Sequence, residues 1–203
     1  MFHKATEPTP LTLLSPIKNG AVDEQSFASL TRRYLQSLES HDLSPMAKVP
    51  NTFLCRFFIL NDVFYEGSPA QEDHLQSKYL VFCCNFHGDT ETYLRGFWQN
   101  AEQHIREAWR YCVAFEQVSD ANSFIDYIKK CTVNTTFYFN GSSGAPLAEQ
   151  LKALYLKQEF SQFACNTQGQ SPQQLRAAFQ HFIERTKPTD LAAPTWRPGQ
   201  NFL

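Results

Sequence analysis

The sequence predicts an α+β protein with a ferredoxin-like β-α-β-β-α-β core, a four-stranded antiparallel sheet and added C-terminal helices. Three observations lead there. Four short apolar or β-branched runs are punctuated by turn residues. Two helical stretches with one-sided apolar stripes lie between them in the order that plan requires. Beyond residue 145 the pattern is helical only.

Leu11 to Ile17 (LTLLSPI) is an apolar run that reads as the first strand, stopping by Ser15 ahead of Pro16. Residues 1–10 hold two prolines and no periodicity and read as a tail. Asp23 is the expected cap of the first helix. Its apolar positions Phe27, Leu30, Tyr34 and Leu38 fall three or four apart. Arg32 and Arg33 point the other way, as a solvated face.

Asn51 to Leu60 (NTFLCRFFIL) is the second strand and Tyr79 to Phe86 the third, joined by a long polar connection. Thr90 to Cys112 gives the clearest periodic signal. Leu94, Phe97, Trp98, Ala101, Ile105, Ala108, Trp109 and Cys112 form a single stripe. Ser119-Asp120 opens a short helix through Phe124, Tyr127 and Ile128. Thr132 to Phe139 (TVNTTFYF) is the fourth strand.

Two helices are expected after Pro146 and after Ser171-Pro172, the second with Leu175, Phe179 and Phe182 inward. The resulting organisation is a domain at 11–140, a helical extension at 145–185, and extended tails at 1–10 and 187–203.

Strand side chains alternate between faces. On the second strand one set is Phe53, Cys55, Phe57 and Ile59, and the other is Leu54, Arg56, Phe58 and Leu60. The third strand is apolar on both faces as well, so neither face of the sheet should meet water. Helices cover one. The other needs the C-terminal helices or a second copy, and a homodimer is expected. The helix from Leu147 carries apolar residues on two opposite sides, which implies burial on both sides or a break.

Bulk properties exclude some classes. The net charge of -2 over 203 residues, with acids and bases interspersed, does not mark a nucleic-acid binder. No apolar run reaches the ~20 residues of a membrane span. The N-terminus lacks a signal-peptide pattern, and the expected location is the cytoplasm. The six cysteines show no CxxC pattern, and all but Cys165 lie in or beside strongly apolar stretches, where they read as small buried hydrophobes. With 18 phenylalanines and 2 methionines, the core should be aromatic.

Candidate chemistry centres on Arg56. Leu54 and Phe58 flank it on its own face, where an unpaired charge is costly. Its guanidinium can bind the anionic group of a small, partly apolar molecule over the sheet. The competing reading pairs it with Asp62 or Glu66. Tyr138, in the polar set of the fourth strand, would wall that site.

The segment YLVFCCNFHGDTETYL (79–94) gathers two cysteines, a histidine and an acid. Alternation sends Cys83 and Cys84 to opposite faces, so they cannot jointly hold a metal, and no metal site is expected. His87-Gly88-Asp89-Thr90 has the chemistry of a turn and a helix cap. Asn85 and His87, beside the free amides of a helix start, remain ligand candidates. His104 lies at the solvent boundary of its helix and His181 away from the apolar side of the last. No GxSxG, HExxH, P-loop or GxGxxG motif occurs.

With its strands placed, the chain resembles a bacterial family of ferredoxin-like proteins of unknown function. It is distantly similar to the dimeric α+β barrel superfamily of dye-decolourising peroxidases, chlorite dismutase-like proteins and small monooxygenases. LTLLSPIKNG, VPNTFLCRFFIL, YLVFCCNFHGDTETYL and AWRYC carry the resemblance, across residues 11–140. It implies a ferredoxin-like fold and a dimer. It raises haem, and a haem-related oxidoreductase or its accessory, as the alternative function. Arg56, Asn85, Phe86, Gly88, Trp109 and Cys112 match the pattern, whereas Phe53 stands where the family has a histidine. A non-catalytic interaction module is the third reading.

Overall fold

A computed structural model of the chain describes residues 8–40, 43–63, 67, 74–141 and 146–187. The fold is α+β. The chain divides into two compact units, the first ending at Gly144 and the second starting at Ala145.

The first unit is built on an antiparallel sheet of β1 (Pro8–Pro16), β4 (Thr52–Leu60) and β5 (Tyr79–His87), in the order β1-β5-β4. A two-residue hairpin of β2 (Ala21–Val22) and β3 (Gln25–Ser26) leads into the first helix. Its turn is Asp23-Glu24, both at positive φ, the geometry that matches the twist of a tight hairpin. Asp23 is therefore a turn residue and not a helix cap. Ser26 does the capping, accepting from the Ser29 N–H, and α1 runs Phe27–Gln36.

β1 begins at Pro8, earlier than the apolar run suggests. Its edge explains why. The Val133 N–H donates to the Thr12 carbonyl and the Val113 N–H to the Pro16 carbonyl, so the even-numbered backbone groups of β1 point away from β5. Pro8, Pro10 and Pro16 thus place their missing N–H on the outer edge, where no β5 ladder bond is lost.

The same prolines account for the largest departure from expectation. The fourth strand does not form, and the sheet has three strands. Thr132 makes one antiparallel bridge to Leu13, and residues 133–140 are not strand. The next ladder donors facing this segment would be Pro10 and then Pro8, which have none. The β propensity of TVNTTFYF is not in doubt; its partner edge cannot continue the ladder. Phe137 and Phe139 are left 81% and 77% exposed.

Within this unit the helices lie on one face of the sheet. The turn into α2 (Thr90–Ala108) uses Gly88 at φ 103, a backbone that a β-carbon disfavours. The expected stripe of α2 is buried throughout, from Leu94 to Cys112. Ala101 leaves helical geometry and kinks α2, and the Asn100 side chain nearby bonds the Gly96 carbonyl. α3 (Ala121–Cys131) opens with a capping box between Asp120 and Ser123. Arg106 joins these elements, stacked 4.8 Å over Trp98 and donating to the Val118 and Ser119 carbonyls.

The core is aromatic. Phe82 lies 4.5 Å from Phe57, 5.7 Å from Phe97 and 5.9 Å from Trp109, ring centre to ring centre. Each such ring removed from water contributes roughly 1.5–3 kcal/mol. A polar bond crosses this core: the Trp109 indole donates to Ser15 Oγ at 3.0 Å, both residues fully buried.

The second unit is a helical hairpin of α4 (Leu147–Asn166) and α5 (Pro172–Thr186). α4 is continuous, not broken. Phe160, Phe163, Phe179 and Phe182 cluster between the two helices. Buried Glu159 pairs with Arg185. Of the three residues expected inward on α5, only Phe182 is buried; Phe179 packs against Phe163 and Phe182 yet stays half-exposed, as does Leu175. The tail from residue 188 and the first seven residues lie outside the described residues. Among the described residues no helix is long and apolar enough to cross a membrane.

Candidate functional site

Register decides which side chains meet. Arg56 pairs with Cys83 across β4 and β5, and Leu54 with Asn85. Directly opposed residues share a face, so Arg56, Cys83 and Asn85 lie together on the face turned away from α1, α2 and α3. Asn85 is the diagonal neighbour of Arg56, at roughly 7–8 Å along the pleat. His87 continues the same alternation, but it is buried at the end of β5, with its ring edge-on to Phe53 at 6.2 Å.

This outer face is apolar around the arginine. Leu54 is 58% and Phe58 44% exposed, and Val81 between the flanking strands is buried. Arg56 is itself exposed. Among the described residues it has no carboxylate within ion-pair distance.

The acid expected to neutralise it is engaged elsewhere. Asp62 accepts from the Leu75 and Val63 N–H groups and from His74 Nδ1, each at 2.9 Å. The Leu75 amide, then His74, then the Val63 amide hold its carboxyl down at about 2. Asp62 closes the loop between β4 and β5. Glu66, the other expected partner, lies outside the described residues.

A β-bulge shapes the neighbouring end of β4. Thr52 pairs with Phe86 and Leu54 with Asn85, so Phe53 is the extra residue. It turns Phe53 outward, half exposed, and not to the core with Cys55 as plain alternation would have it. Thr52 and Cys55 both face the core as a result. There Tyr93, stacked on Phe86 at 4.0 Å, places its hydroxyl 3.0 Å from Thr52 Oγ1 and 3.0 Å from Cys84 Sγ. Sequence reading missed this cluster, since only the register brings Cys55 opposite Cys84.

Two expected contributions to the site are not made. The amides at the start of α2 are not free, because the Asp89 carboxylate accepts from Thr92 N–H at 2.9 Å and faces those of Thr90 and Glu91. Those bonds hold Asp89 below the usual carboxylate range. Tyr138 stands on no strand; its segment leaves the sheet at the β1 edge, two strands from β4. It is half-buried, and burial raises its phenol.

On the helical side, Leu38, Met46, Phe57, Phe97, His104 and Trp109 line a crevice of about 20 Å³. Of these, His104 meets the Tyr34 hydroxyl through Nδ1 at 2.7 Å, and burial followed by the charge of Glu107 pushes that phenol up to about 12. A space that holds about one water does not fit a porphyrin. His181 is exposed on α5. No group of three or more metal-ligating side chains occurs among the described residues.

Comparison with protein-family models, with curated proteins and with solved structures finds no match.

Proposed function

We propose that the chain binds a small, partly apolar anion on the outer face of its sheet, with Arg56 receiving the anionic group. The observation that carries this reading is Arg56 itself: a cation without an ion-pair partner among the described residues, set between two exposed apolar side chains. A guanidinium offers a planar fork of donors suited to a carboxylate. Leu54 and Phe58 supply apolar walls, and the Asn85 amide supplies a second polar contact.

The same face suits a second subunit, and we read the chain as a homodimer closed through it. Strand order favours this. Counting outward, the 132–133 stub, β1, β5 and β4 follow the ferredoxin-like order, with the last strand cut short. Kinship to the dimeric α+β barrel superfamily is part of this proposal, and in it the outer face of the sheet becomes interior on dimerisation.

Thermal-shift and calorimetric titration with octanoate, benzoate and their neutral amides test the ligand. Stabilisation by the carboxylates, absent with the amides, is expected. Arg56→Ala should weaken binding about 10- to 100-fold, the range for losing a hydrogen bond to a charged group. Equal affinity of Arg56→Ala and the parent overturns the assignment. Sedimentation tests the dimer: Phe58→Glu should yield monomer, and a parent chain that is monomeric at micromolar concentration removes the second subunit.

A further inference from the structure

We infer that Cys55 and Cys84 form an oxidisable dithiol, which a small disulfide converts to a cross-strand disulfide stapling the edge strand β4 to the centre of the sheet. The two residues are direct partners in the β4–β5 register, and both face the core. All six cysteines are free thiols.

The hydrogen-bonding phase of the sheet fixes the geometry further. The His87 N–H donates to the Asn51 carbonyl, so odd-numbered backbone groups of β5 point towards β4. The even-numbered Cys84 therefore bonds towards β1. Its pairing with Cys55 is of the non-hydrogen-bonded kind, in which α-carbons approach to roughly 4.5 Å and side chains come closest. A disulfide spans about 4.4–6.8 Å between α-carbons. Phe57 and Phe82, the next pair of this kind, illustrate the approach with ring centres 4.5 Å apart. Cys83 points to the other face and cannot compete.

The pair also has an entry point. Cys84 is buried, but Cys55 is only partly so. The Cys55 thiolate attacks one sulfur of glutathione disulfide, breaking that S–S bond and releasing one glutathione. The Cys84 thiolate then attacks Cys55 Sγ and displaces the second glutathione. Two protein thiols are oxidised, one glutathione disulfide is reduced, and the two thiol protons end on the two glutathiones. Burial pushes Cys55 up to about 11 and Cys84 to about 12, so the thiolates are scarce and closure is slow. Closure also takes Cys84 Sγ from the Tyr93 hydroxyl, which keeps Thr52 Oγ1 as its partner.

The test uses the folded full chain carrying Cys165→Ser, which removes the exposed thiol. It is incubated with glutathione disulfide, blocked with N-ethylmaleimide, and mapped by non-reducing peptide mass spectrometry. The expected product joins the peptide containing Cys55 to the peptide containing Cys83 and Cys84. The link should persist in Cys83→Ser and vanish in Cys84→Ala, where glutathione stays on Cys55. The oxidised parent should unfold at a higher urea midpoint than the reduced one. The inference is overturned if no such link forms in the folded chain, if the link is lost in Cys83→Ser, or if the midpoint falls on closure. The Cys83→Ser result decides the matter even if the core variant Cys84→Ala fails to fold.

Discussion

Removing the Ser15 hydroxyl tests the account of the core most directly. Ser15 and Trp109 are fully buried and share a 3.0 Å hydrogen bond inside an otherwise aromatic interior. Ser15→Ala leaves the indole N–H without an acceptor, at a cost of about 1–3 kcal/mol. The Tyr127 hydroxyl, beside Ser15 and Cys131 and without a well-aligned bond of its own, sets the lower end of that range if it turns to accept the indole N–H. Trp109→Phe removes the donor and opens space of roughly 40 Å³, worth about 1 kcal/mol at 24 cal per Å³, in addition to the lost bond. The single changes should therefore cost about 2 kcal/mol each. The double change leaves no orphaned partner, since removing both groups is far cheaper than removing one. It should cost about 2 kcal/mol in all, a coupling of roughly 2 kcal/mol. Urea unfolding followed by near-ultraviolet circular dichroism measures this, with a drop of about 4–8 °C in melting temperature for each variant. Strictly additive single costs, or a Ser15→Ala loss below about 0.5 kcal/mol, would refute the claim that this bond is buried and needed.

Other predictions follow from the same reasoning. Pro10→Thr restores a ladder donor on the β1 edge, so the segment after Val133 should gain a strand pair. Hydrogen exchange should then show new protection at residue 10, and an unchanged pattern would remove the proline explanation of the missing strand. Asp120→Ala breaks the capping box of α3 and should cost about 1 kcal/mol, read as a melting shift of a few degrees. The Asp62 carboxyl is depressed from 3.8 to about 2, so the stability it lends the loop is present above 3.8 and lost as pH falls towards 2. Exchange at the Leu75 and Val63 amides should accelerate, relative to neighbouring amides, across that window. In Asp62→Asn the acceleration should be absent.

The element pattern was legible because periodicity is local. The α2 stripe from Leu94 to Cys112 is buried residue for residue, and Gly88-Asp89 is the turn and cap that the sequence suggests. Boundaries that depend on a single hydrogen bond were less so: Ser26 caps α1 and Asp23 turns a hairpin, although either is a good cap by type. Of the four residues proposed for the ligand site, Arg56 and Asn85 lie on one open face, while His87 is buried at the strand end. Tyr138 lies in a segment that forms no strand.

By itself the sequence determined where the five helices and the three strands of the sheet fall, that both faces of the central strands are apolar, and that Cys83 and Cys84 diverge. These follow from the 3.6- and 2-residue periods of side chains along one chain. Only the tertiary structure decided the register that sets Cys55 against Cys84 and Arg56 beside Asn85. It alone revealed the bulge that turns Phe53 outward, and the proline edge that ends the sheet at three strands. Each of these depends on which backbone groups of one segment meet which groups of another. That pairing is set by long-range hydrogen bonds, and no window of neighbouring residues contains it.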